Sequence, residues 1–136
     1  MSDPSGLRGC RLLIVDDEPA DRDAIAQLAR AHGCDVRAAP DHHEMAALMR
    51  AWDPELLVLD IVMPNLDGIG ILRQLAEQLC RTPVLLVSAY RDHLKPAHNL
   101  GRAYGINVVG ELTKPVDAET LGAALHNAVR RPWPCA

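Results

Sequence analysis

The chain has 136 residues, 49% of them hydrophobic and 24% charged, which suits one soluble domain with its own core rather than a disordered or membrane-embedded segment. Its formal net charge of −4 argues against nucleic acid or an anionic membrane surface as a direct partner. Cys10, Cys34, Cys80 and Cys135 lack the short pair spacing of a zinc site or disulfide framework. No apolar run approaches membrane-spanning length, and residues 1–6 build no signal-type apolar region, so a cytoplasmic protein is expected.

Residues 11–15 form a short apolar run that ends in Asp16, Asp17 and Glu18, a strand followed by acid. Pro19 and Asp21 punctuate the start of a helix to about His32, with Ile25, Leu28 and Ala29 on one face and Gly33 as its stop. Residues 34–39 read as a second strand. Asp41 is the expected N-cap of a helix running to about Trp52, with Met45, Leu48 and Met49 turned inward.

Residues 56–61 are an apolar, partly β-branched run preceded by Asp53 and Pro54. They predict a strand buried on both faces, of the kind found in parallel sheets covered by helices. Asp60 sits at its carboxyl end, where such sheets bind ligands. A turn at 64–68 leads into a helix to about Cys80, with Ile69, Leu72, Leu75, Ala76 and Leu79 on one stripe. Residues 83–88 repeat the strand pattern and end in Ser88. Pro96 suits the first turn of a helix opening at Lys95 and ending near Gly105. Residues 106–113 are the fifth strand, closed by Lys114 and Pro115, and Asp117 caps a last helix through about Arg130. Five strands alternating with five helices predict a doubly wound α/β domain with a five-stranded parallel sheet in the flavodoxin-like order 2-1-3-4-5.

In such a sheet the carboxyl ends of all strands open onto one edge. Asp16 and Asp17, Asp60, Ser88 and Lys114 therefore converge although no local motif joins them. Crowded carboxylates repel, and a hard divalent cation relieves the repulsion. A lysine offers a point charge to phosphate, a serine hydroxyl a hydrogen bond, and a carboxylate is a possible covalent acceptor. The set has the components of a phosphoryl-transfer site.

Asp16-Asp17, Asp60 followed by Met63-Pro64 and Asp67-Gly68, Ser88-Ala89 and Lys114-Pro115 resemble, in order and separation, the receiver domain of two-component response regulators. The resemblance places a receiver domain at residues 10–131 between an N-terminal tail, 1–9, and a C-terminal tail, 132–136. It implies that Asp60 is the phosphoacceptor and that Asp17, Asp60 and the backbone carbonyl of Val62 hold Mg2+ or Mn2+, with Asp16 acting through water. It also implies that Lys114 pairs with the phosphoryl group and that Ser88 swings to bind it, while the small Ala89 leaves the approach open. The partners it implies are a histidine kinase or histidine phosphotransfer protein, a downstream protein, and a second copy of the chain on phosphorylation. The chemistry is confined to self-phosphorylation and autodephosphorylation.

Two features depart from the family pattern. Position 111, three residues before the lysine, is Glu where receivers usually carry Tyr or Phe, and the stretch from Ser88 to Lys114 is longer than usual. That longer stretch resembles receivers joined to cyclic-di-GMP phosphodiesterase domains. Among rival functions, a receiver-like scaffold that signals by contact alone stays open because of Glu111. A magnesium-dependent phosphohydrolase would need a carboxylate where Val62 stands, and a flavin carrier would need a phosphate loop where Asp16, Asp17 and Glu18 stand.

Overall fold

The computed structural model describes residues 7–63, 66–67, 76 and 82–130. β1 (Arg11–Val15), β3 (Leu56–Asp60) and β4 (Val84–Ser88) have almost no exposed residue, so they must lie inside a sheet covered on both faces. β2 (Asp35–Ala39) and β5 (Val108–Thr113) are less buried and take the two edges. The resulting five-stranded sheet is parallel throughout, in the order β2-β1-β3-β4-β5, with Leu13 opposite Leu57, Asp60 opposite Val87 and Ser88 opposite Thr113. This is the doubly wound, flavodoxin-like arrangement that the strand–helix alternation predicts.

Alternation along each strand divides the core in two. Leu13, Val15, Leu57, Leu59 and Leu86 face α2 (His42–Trp52) and α3 (Arg91–Ala103), where they meet Met45, Met49, Leu94 and Ala97. Leu12, Ile14, Leu56, Val58 and Leu85 face α1 (Pro19–Ala31) and α4 (Ala118–Arg130), where they meet Ile25, Ala29, Leu121 and Leu125. Each fully buried leucine contributes about 1.5–3 kcal/mol relative to an exposed one, which is why both helix layers are held. Cys10 and Cys34 are buried in the second cluster as small core residues. Cys80 and Cys135 lie outside the described residues, as does the helix expected from Ile69 to Cys80 apart from Ala76, which is helical.

Local signals set the helix ends. Pro19 occupies the first position of α1, where its missing N–H costs nothing, and Gly33 beyond the helix takes φ +97°. The Asp41 carboxylate accepts the Glu44 N–H at 2.9 Å to open α2, and the Asp117 carboxylate accepts the Thr120 N–H at 2.7 Å to open α4. The expectation for α3 needs correction. It begins at Arg91, not Lys95, and Pro96 lies inside it. Leu94, Ala97 and Gly101 form a buried stripe, so the turn before the proline stays helical because Leu94 is driven into the core. The missing Pro96 N–H falls opposite Asp92, which is exposed to water. Among the described residues no helix is long and apolar enough to cross a membrane.

Candidate functional site

Because all five strands run the same way, their carboxyl ends form one rim. β1 delivers Asp16, β3 ends in Asp60, β4 ends in Ser88, and Lys114 follows β5 by one residue. Asp16, Asp60 and Ser88 are buried, and Asp17 is half-buried. Such burial of charge is costly unless the groups are paired.

Lys114 provides the pairing. Its Nζ donates to Asp16 Oδ2 at 2.7 Å, to Asp60 Oδ2 at 2.9 Å and to Asp21 Oδ2 at 2.9 Å. The lysine side chain is only 11% exposed. Burial works against its charge, but the hydrogen bonds to Asp16, Asp60 and Asp21 outweigh that cost and hold its pKa above the ordinary lysine value. The second oxygen of Asp16, Oδ1, accepts the Glu18 N–H at 2.9 Å, and the Arg22 guanidinium donates to the Asp16 carbonyl at 2.9 Å. Asp16 is thereby fixed from three directions.

Asp16, Asp17 and Asp60 each offer a carboxylate oxygen, and these oxygens lie within 4.8 Å of one another. One lysine does not neutralise three acids at that spacing. The donor set is all oxygen and two of its members are buried, which fits a hard divalent cation such as magnesium and not a soft, thiolate-seeking ion. Val62 lies two residues past Asp60 in a two-residue strand, Val62–Met63, paired antiparallel with Leu66–Asp67.

Ser88 stands on the same rim, but its hydroxyl is engaged elsewhere. Oγ accepts the N–H of Tyr90, the residue before α3, at 2.9 Å, and its carbonyl accepts the Lys114 N–H at 2.9 Å. The serine thus ties the start of α3 and the end of β5 to the rim. Glu111, on β5, bonds His98 Nδ1 of α3 through Oε2 at 3.0 Å.

Sequence reasoning missed Asp21, taking it only as punctuation at the start of α1. Its position in the first turn of a helix that begins three residues after Asp16 was the available signal. It also missed His98 as the partner of Glu111, since nothing in the sequence relates positions 13 apart across a helix and an edge strand.

A doubly wound domain whose carboxyl rim gathers an acidic cluster and a buried lysine has the donor set of a phosphoryl-handling site. The chain belongs to the response regulator receiver domain family, whose model matches residues 12–126. It is 37% identical over 123 residues to the transcriptional regulatory protein TrcR of Mycobacterium tuberculosis, covering 89% of this chain and 46% of that protein. It is 34% identical over 113 residues to protein PilH of Pseudomonas aeruginosa, covering 82% and 90%. Among solved structures, a response regulator receiver domain protein of Clostridium thermocellum superposes with a TM-score of 0.77 at 26% identity, covering 90% of this chain and 95% of that one. The chain spans about half the length of TrcR and of several other curated relatives it matches.

Proposed function

We propose that Asp60 accepts a phosphoryl group from a histidine kinase or a histidine phosphotransfer protein, and that the acylphosphate so formed changes the surface this chain presents to a downstream protein. An Asp60 carboxylate oxygen attacks phosphorus, the P–N bond to the donor imidazole breaks, and the imidazole leaves with the electron pair. Asp16, Asp17, Asp60 and the Val62 carbonyl would hold Mg2+ or Mn2+, which neutralises charge on the carboxylates and on the phosphoryl oxygens. Lys114 offers its ammonium to the phosphoryl group as a point charge. The Ser88 hydroxyl gives up the Tyr90 amide and donates to a phosphoryl oxygen, drawing the residues that lead into α3 toward the rim. The receiver unit is residues 10–131, working in the cytoplasm, with pairing to a second copy on phosphorylation as one form of output.

The observation that carries this reading is the 2.9 Å contact between Lys114 Nζ and Asp60 Oδ2, formed by residues 54 apart in sequence. The test is incubation with Mg2+ and acetyl phosphate followed by intact mass measurement. The expected result is gain of one phosphoryl group, abolished by Asp60→Asn. An unchanged mass would support a scaffold that signals by contact alone. Continuous turnover of the donor far beyond one equivalent would support a phosphohydrolase.

A further inference from the structure

We infer that Asp21 is a positioning residue for phosphoryl recognition, holding the Lys114 ammonium at the rim when the buried acids are engaged elsewhere. The inference rests on the reading of Asp60 and Lys114 given above and adds a residue to it.

A lysine ammonium has three N–H donors, and here each has its own carboxylate acceptor: Asp16, Asp60 and Asp21. The three acceptors are not equivalent. Asp16 and Asp60 are buried and belong to the oxygen cluster suited to a divalent cation. Asp21 lies outside that cluster, reaches in from the first turn of α1, and is 45% exposed. Any ligand that draws on Asp16 and Asp60 competes with Lys114 for them, but leaves Asp21 untouched. Asp21 is then the anchor that keeps the ammonium beside Asp60 instead of releasing it to water along the groove formed by Asp21, Ala24, Ile25, Lys114, Pro115 and Val116. A long, flexible lysine stem loses rotamer freedom when it binds phosphate, and an anchor present beforehand removes part of that cost.

Electrostatics alone predicts the opposite sign. Asp21 adds negative charge near an anion-binding site, so a purely charge-based role would make its removal strengthen anion binding. Two effects of opposite direction make the experiment decisive.

The probe is beryllofluoride with Mg2+, an anionic phosphoryl mimic, titrated into the full chain and followed by 19F NMR of the bound fluorides and by calorimetry. Asp21→Asn is expected to weaken beryllofluoride binding about three- to fivefold, the scale of a partly exposed ion pair. It should also broaden or shift the fluoride resonance nearest the lysine. Asp21→Glu, which keeps the carboxylate, should recover most of the affinity. In a Lys114→Ala background the further change Asp21→Asn should produce no added loss, because Asp21 acts through the lysine. Equal or tighter binding by Asp21→Asn overturns the inference, as does an undiminished loss in the Lys114→Ala background. If wild-type chain neither binds beryllofluoride nor gains mass from acetyl phosphate, the Asp60 reading itself fails.

Discussion

The ammonium of Lys114 and the thiol of Cys10 show how differently burial acts on two titratable groups. Lys114 is surrounded by acids and keeps its charge. Cys10 is buried among apolar side chains near Glu55 and Cys34, and its pKa is pushed up to about 12 from the usual 9.0, first by burial and then by those neighbours. Two outcomes follow for Cys10. At pH 8 native chain should label with iodoacetamide at Cys10 far more slowly than unfolded chain, as read by mass mapping. The folded state also binds the thiol proton more tightly than the unfolded state, so the sign of the linkage is that stability is fully present below pH 9.0 and declines as pH rises toward about 12. Denaturation midpoints measured from pH 8 upward should fall less steeply in Cys10→Ala than in wild type; parallel curves would refute the assignment.

Elements contribute where two of them share a polar contact that neither encodes. α3 packs on the sheet through Leu94 and Ala97, and beside that buried stripe it is tied to β5 by the His98–Glu111 bond at 3.0 Å. Both side chains are partly buried, at 20% and 32% exposure. This bond occupies the position where receivers usually carry an aromatic ring, so here the edge strand and α3 are joined by a polar link. The link should be worth about 0.5–1 kcal/mol, since one partner sits near the solvent boundary. A double-mutant cycle with His98→Ala and Glu111→Ala in urea denaturation measures it. Strictly additive losses would mean that the two side chains do not couple. Pro96 makes a related point: propensity alone breaks the helix there, and burial of Leu94 two residues earlier overrides it.

At the scale of the whole molecule, a two-sided apolar core supports a rim of like charge. The sheet keeps Asp16, Asp17 and Asp60 together against their repulsion because moving any strand end would expose leucines on both faces. If the rim holds a divalent cation as proposed, that cation would bind the folded rim and not the separated acids of the unfolded chain. Mg2+ should therefore raise the thermal midpoint, by the equivalent of about 2.7 kcal/mol at a hundredfold excess over Kd. Asp17→Asn should do two opposite things: raise the cation-free midpoint by relieving repulsion, and reduce the increment that Mg2+ adds. Differential scanning calorimetry with and without Mg2+ reads both. A full Mg2+ increment in the variant would place the cation elsewhere.

The amino-acid sequence determined by itself what local rules govern. The runs at 11–15, 56–61 and 83–88 are too short for helices and too uniformly apolar for an edge, which predicts a covered parallel sheet. A parallel sheet in turn sends Asp16, Asp60, Ser88 and Lys114 to one rim, so the outline of the site was legible before any coordinate. Tertiary structure alone decided which partners those groups take. Asp21 lies 93 residues from Lys114 and His98 lies across a helix–strand boundary from Glu111, and no periodicity encodes either distance. Side chains choose their hydrogen-bond partners by proximity in space, and proximity is set by how helices seat on the sheet, a consequence of packing summed over the whole core.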